Sequence, residues 1–388
     1  MRHYFYKYLT LIVLVSFGYL FNTCASDTED GYMVSRTVLI YISVDNSLAG
    51  SVDDNFEQIK KGYDLGSGTS SNLLVYMDKG ERCSNLYRIY KESGKVKDRI
   101  IHTYNGIESS SVEGMSTVFR DVYAQYPASG YGLILSFHGA GWLPENELLN
   151  SSKVNREKYP TRGIMQSNEA YVDVKTIAKA LDNAPYMDFI IFDACLMGSA
   201  EVAYELRGKS SYMVASPTEV HAGGFPYNLL VKRIFMPGIL DYKAICDDYV
   251  DSYLNKNIDD ERSKTATMSA INIKAIDDFR TFVQTITDKY KAEYNELNPL
   301  KVQPFDRLTH KVFFDAQDLL YQLPLSNNEK TQLKRIMSNL VIYKRATPYF
   351  INLPIDKFSG VSLGYMKYQM KDLKSNYMDL KWNKKTGR

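Results

Sequence analysis

The chain has almost no charge imbalance. Its 388 residues carry 47 lysines and arginines against 45 aspartates and glutamates. Two of those bases, Arg2 and Lys7, fall in the first 23 positions, which hold no acid, so without that segment the balance is 45 to 45. A neutral surface supplies no electrostatic drive toward nucleic acid or an anionic membrane. Metal patterns are missing too. There is no Cys-x-x-Cys pair and no His-Glu-x-x-His, so zinc has no ligand set. The glycine-rich phosphate loop and lysine that a nucleotide-binding α/β protein would need are also absent. No repeat at a solenoid period and no low-complexity tract is visible, which excludes an array. Four cysteines are too few for a disulfide scaffold. What remains, 45% hydrophobic and 24% charged, is a globular composition. The length suits two domains or one large α/β domain with an appendage.

The apolar run Leu9–Phe21 (LTLIVLVSFGYLF) follows Arg2, His3 and Lys7. At about 13 residues it is short of the roughly 20 a membrane helix needs. It reads as an export signal over residues 1–23, to be set aside from the fold. Cys24 follows directly and resembles the lipobox cysteine of bacterial lipoproteins, which is lipidated and becomes the new N-terminus. That resemblance implies an outer-membrane lipid anchor through Cys24; ordinary signal cleavage and secretion is the alternative. With Cys24 so used, Cys83, Cys195 and Cys246 remain, and at least one thiol must stay unpaired. Such a thiol is either a buried bystander or a nucleophile. The neighbours of Cys83 and Cys246 are those of ordinary core or helix positions.

After a linker over residues 24–35, strand-like and helix-like segments alternate. Thr37–Val44, Asn72–Asp78, Tyr131–Phe137, Met187–Asp193 and Ser211–Ala215 are continuous β-branched and aromatic runs, the pattern of parallel strands covered on both faces. Amphipathic helices are predicted over Ser116–Tyr126, Val172–Asn183 and Ser199–Leu206, completing a βαβ rhythm with right-handed crossovers. Leu86–Tyr90 and Arg99–His102, with Gly94 between them, read as a hairpin at the sheet edge. From about Tyr242 longer helical stretches follow (Tyr242–Leu254, Ile276–Leu297, Glu329–Ile342) with one strand-like Thr267–Ile273. The division expected is an α/β core over residues 36–238 and a helical C-terminal subdomain over 239–388.

Ligands of open α/β sheets bind beyond the carboxyl ends of the strands. The third predicted strand runs into His138-Gly139-Ala140-Gly141-Trp142 and the fourth into Asp193-Ala194-Cys195-Leu196-Met197-Gly198. A thiol and an imidazole are thus delivered to one sheet edge, the minimum equipment for covalent acyl transfer: the thiolate attacks and the imidazolium protonates the departing amine. Cys195 precedes a predicted helix start near Ser199, whose dipole favours the thiolate. Gly139 lets the backbone approach a substrate, and its N–H together with that of Cys195 could form an oxyanion hole. His102, His221 and His310 lack a following glycine at a strand end. Of these only His221 lies in a loop placed to line the cleft.

HGAGW after one apolar strand and FDACLMGSAEVAYEL after the next resemble the histidine and cysteine motifs of the clostripain-like cysteine peptidases, relatives of caspases, gingipains and legumain. The histidine precedes the cysteine by 57 positions, 138 to 195, against about 50 in caspases. TVLIYISVDNSL, SPTEVHAGGFPY and FSGVSLGYM look like further landmarks, extending the resemblance over roughly Arg36 to Met366, with departures near Phe225 and Tyr365. The resemblance implies a caspase-like open, mostly parallel sheet flanked by helices, and an exported endopeptidase with Cys195 as nucleophile and His138 as acid/base. It implies that Asp193 floors the pocket for the residue before the cut bond (P1) and selects arginine or lysine, with Glu219 a second candidate; turn capping is the other reading of Asp193. It further implies activation by a cut after a basic residue between the two motifs. The polar stretch Leu143–Thr161 reads as an exposed connection, and Lys153, Arg156, Lys158 and Arg162 are the candidate cut sites. Peptide or protein substrates, a monomer and no cofactor are expected. Calcium is used by some relatives, but Asp53-Asp54 and Asp247-Asp248 are too ordinary to claim it. The rival reading is a catalytically silent surface lipoprotein that keeps the fold for binding.

Overall fold

A strand covered on both faces must be apolar on both faces, and five segments of this chain meet that condition. In the computed structural model, which describes residues 35–44, 49–66, 70–80, 83–144, 159–162, 171–366 and 371–384, they form β1 (Arg36–Ser43), β2 (Ser71–Asp78), β5 (Tyr131–Ser136), β6 (Met187–Asp193) and β7 (Ser210–Ala215). The hairpin is β3 (Cys83–Glu92) and β4 (Lys95–Asn105); β8 is Thr267–Asn272, β9 is Phe313–Asp315 and β10 is Val341–Ala346. One nine-stranded sheet runs β10-β8-β7-β6-β5-β1-β2-β3-β4, parallel through its middle and antiparallel at both ends. Leu39, Ile40, Leu133, Ile134, Ile190 and Ile191 are fully buried, each such side chain contributing about 1.5–3 kcal/mol relative to exposure.

Helices fill the connections: α1 (Ala49–Gly66), α2 (Val112–Gln125), α3 (Val174–Ala180), α4 (Ala200–Glu205), α5 (Tyr227–Phe235), α6 (Tyr242–Leu254) and α7 (Ile276–Lys289). The long helix expected over Ile276–Leu297 ends at Lys289, and a separate short helix, Lys291–Asn295, follows. Residues beyond 239 contribute more than helices, because β8 and β10 extend the central sheet past β7 and share its hydrophobic core. No helix among the described residues is long and apolar enough to cross a membrane.

The topology places the site. β1 lies between β2 and β5, so the chain first builds outward through β2, β3 and β4, then returns to the other side of β1 and builds through β5, β6 and β7. Loops beyond the carboxyl ends of β5, β6 and β7 therefore converge next to the point where the direction of building reverses.

Candidate active site

β5 and β6 pair in parallel with Ser136 beside Asp193. Two residues further along each, His138 and Cys195 leave the sheet at the same level, both buried. Their loops touch. A Cβ on Gly139 would lie 2.7 Å from both the N and the O of Cys195, a separation that only glycine permits. Leu196 adopts φ +62°, a left-handed conformation that costs a leucine about 1–2 kcal/mol. It is held there by the Leu196 N–H donating to Thr218 O at 2.9 Å, while the Gly198 N–H donates to Ser216 O at 2.8 Å. Ser199 caps α4 by accepting from the Val202 N–H. The cysteine turn is thereby tied to the loop after β7.

That loop also engages the thiol. Cys195 Sγ accepts from the Val220 N–H at 3.0 Å, and the S–H donates to Val220 O at 3.5 Å. Burial, then the charge of Glu219, push the thiol well above its ordinary range, outweighing the Val220 N–H, Arg307 and Arg162, which pull it down. The helix whose dipole the sequence invoked, α4, has six residues, and burial is the first cause acting on the thiol.

Asp193 is fully buried. Its Oδ2 accepts from Tyr227 Oη at 2.8 Å and Ser136 Oγ at 3.4 Å, and lies 3.3 Å from Arg162 Nη1. Arg162 Nη1 also donates to Ser136 Oγ at 2.6 Å. Burial pulls the pKa of the guanidinium down; Asp193, then Tyr227 and Tyr253, outweigh this and raise it. Arg162 is 1% exposed, which corrects the expectation that the basic residues of this connection all stand on the surface: Asp193 supplies a buried counter-charge. Lys153, Arg156 and Lys158, like Cys24, lie outside the described residues.

The backbone leading to Arg162 is equally engaged. The Arg162 N–H donates to Val220 O at 2.7 Å and the Ala222 N–H to Pro160 O at 2.9 Å, with Thr161 opposite His221 in an antiparallel bridge. The Arg162 carbonyl accepts from the Gly139 N–H at 3.0 Å. The chain thus lays its own arginine along an edge beside the thiol, with its guanidinium on a buried carboxylate and its carbonyl on the glycine that follows His138.

Glu219 does not join Asp193 at the guanidinium. It pairs with Arg307, whose Nε and Nη2 both donate to it, the latter at 3.0 Å, and it accepts from Thr161 Oγ1 at 3.1 Å. His221 Nε2 meets Thr265 O at 3.0 Å and its ring stacks on Tyr253. Burial and then Lys256 lower its pKa to about 4, so it is a neutral wall residue. Cys246 is buried and its thiol is pushed up by burial. Asp53 pairs with Lys79, Asp247 with Lys243 and Arg345, and Asp248 with Arg233. No group of three or more His, Cys, Asp or Glu side chains placed to hold a metal occurs among the described residues.

Ser136, Tyr227, Gly224 and Arg307 escape sequence reasoning because each comes from a different segment. Gly224 alone carried a signal, the Gly-Gly pair in HAGGFPY. Its φ is +65°, and a Cβ there would meet Arg162 Nη2 and Asp193 Oδ2 at 2.5 Å. Gly224→Ala is therefore expected to obstruct the acidic pocket. Hydrolysis of arginyl peptides should fall at least about 100-fold, from a contact worth several kcal/mol and a strained backbone, while circular dichroism still reports a folded protein.

The Clostripain family model matches residues 40–383, and the chain belongs to that family of cysteine peptidases. Clostripain of Hathewaya histolytica is 28% identical over 225 residues, which is 51% of this chain and 42% of clostripain; the match thus spans less than half the length of that relative. The crystal structure of an inactive zymogen C11 protease from Parabacteroides distasonis is 30% identical, with a TM-score of 0.76, over 91% of this chain and 98% of that one. A secreted C11 cysteine protease from Bacteroides thetaiotaomicron, in complex with an irreversible peptide inhibitor, is 27% identical, with a TM-score of 0.74, over 90% and 97%. The caspase-like architecture of a mostly parallel sheet flanked by helices is shared with these structures.

Proposed function

We propose that the protein is an exported cysteine endopeptidase that cleaves after arginine or lysine, and that the uncut chain is its precursor. The observation that carries this reading is Arg162: its guanidinium sits on Asp193 while its carbonyl accepts from the Gly139 N–H. A substrate arginine would need those same two contacts. His138 takes the Cys195 proton, and the thiolate attacks the carbonyl carbon of the P1 residue. The resulting oxyanion is stabilised by the N–H groups of Gly139 and Cys195. The imidazolium then protonates the departing amine, leaving an acyl-enzyme that water, deprotonated by His138, hydrolyses. These steps use no cofactor.

In the precursor Arg162 is the basic residue that holds the two P1 contacts, and a cut after it would give two chains held together by one sheet. The thiol, buried and turned to Val220, has to leave that backbone before it can attack. Cleavage is by the enzyme itself or by a trypsin-like partner. The signal over residues 1–23 and lipid attachment at Cys24 complete the reading with an outer-membrane anchor; a relative described as secreted supports the export step.

The test is the identity of the cut. Mass spectrometry of purified wild-type protein is expected to find a new C-terminus at Arg162, and Arg162→Gln is expected to stay whole although Lys153, Arg156 and Lys158 remain. Cutting at one of those three, or undiminished processing of Arg162→Gln, would overturn Arg162 as the processing residue. An Arg162→Gln protein that nonetheless hydrolyses arginyl peptides fully would separate the peptidase reading from the activation reading.

A further inference from the structure

We infer that the Glu219–Arg307 pair is the recognition element for the residue before P1 (P2), and that it selects a hydroxyl-bearing side chain, threonine or serine. The inference rests on the reading that Pro160–Arg162 occupies the cleft as a substrate does. In that register Arg162 is P1 and Thr161 is P2, its backbone opposite His221 and its Oγ1 donating to Glu219 Oε1 at 3.1 Å. Thr161 is 2% exposed and Glu219 8%, so the hydroxyl and the carboxylate meet away from bulk water. Arg307 fixes the acceptor. Two of its nitrogens donate to the Glu219 carboxylate, and its guanidinium carbon lies 5.9 Å from the centre of the Phe350 ring.

Arg307 donates to both oxygens of this carboxylate, and the Thr161 hydroxyl adds a donor to Oε1. An alcohol satisfies it with a charge-assisted hydrogen bond. Valine, equal in shape, sets a methyl group against Oε1 in place of that donor, so one hydrogen bond to a carboxylate shielded from water is lost. Sites built to accept a hydroxyl reject the analogue that lacks one far more strongly than apolar pockets distinguish sizes. Glu219 therefore serves the residue next to the arginine, and Asp193 the arginine itself.

Two fluorogenic peptides differing only at P2, Pro-Thr-Arg and Pro-Val-Arg, test this on the processed enzyme. The quantity read is the ratio of their kcat/KM values, because Glu219 and Arg307 both bear electrostatically on Cys195 and any change in the thiol cancels in a ratio. The wild-type enzyme is expected to favour threonine by about 10- to 100-fold, the range of one charge-assisted hydrogen bond. Removing Glu219 alone would leave Arg307 half-stripped of solvent and unpaired, so the variant is the apolar double Glu219→Met/Arg307→Met. Its ratio is expected to fall to about one or below, with Pro-Val-Arg still cleaved. Equal rates on the two peptides in the wild type, which needs no variant to fold, would overturn the inference, as would an unchanged ratio in the double variant. An enzyme that cleaves neither peptide but cuts after uncharged residues would instead defeat the arginine reading, and this inference with it.

Discussion

Cys195→Ala should abolish hydrolysis of arginyl and lysyl reporter peptides, leave the protein folded, and leave the precursor whole. The side chain removed is one small thiol whose hydrogen bonds are to backbone: Val220 N–H and O hold Sγ, and Gly139 packs on the Cys195 N and O. Neither the left-handed turn at Leu196 nor its hydrogen bond to Thr218 depends on sulfur. Loss of an acting nucleophile typically costs on the order of 10⁶ in kcat, and groups that act as a unit are not additive. His138→Ala is thus expected to be about as inactive, and the double variant no slower than either. Assays of kcat on peptides, with thermal unfolding alongside, decide the matter. Turnover retained by a well-folded Cys195→Ala protein would remove the nucleophile assignment.

Asp193→Asn should act on two quantities at once. In the processed enzyme it removes the charge that a P1 guanidinium meets, so kcat/KM for arginyl peptides is expected to fall by roughly 100- to 1000-fold, while alkylation of Cys195 by iodoacetamide changes little. In the precursor it leaves Arg162 buried without its counter-ion. Breaking such a pair from one side costs about 3–5 kcal/mol, which chemical denaturation of the uncut protein should show. Adding Arg162→Met removes the stranded charge and should recover most of that stability without restoring arginyl hydrolysis. Stability that does not recover in the double variant, or alkylation that falls as far as hydrolysis, would make Asp193 a structural residue of β6 instead of a specificity residue.

Much of this site could be read along the chain. The apolar runs that became β5 and β6 are continuous in sequence, and a buried parallel strand has no freedom to be anything but apolar, so the strand ends carrying His138 and Cys195 followed from composition and order. Their neighbouring glycine and aspartate lay in the same short motifs. The edge hairpin was legible for a similar local reason, two alternating segments around Gly94. The chain beyond residue 239 was less so: Val341–Ala346 is half exposed at the end of the sheet, where an apolar pattern is not required, and its first two residues fall at the end of the helix expected over Glu329–Ile342.

Local sequence determined the architecture and the placing of a histidine and a cysteine at successive strand ends, because each depends on side chains a few positions apart or on the period of burial. Which arginine meets Asp193, that Glu219 faces Thr161 and Arg307 instead, and that the thiol is buried against Val220 were decided only when segments 25 to 88 residues apart closed on one another. Buried charge is what forces those choices. A carboxylate removed from water must find a cation or a donor, and which one it finds is a property of the packed cleft, not of any stretch of chain.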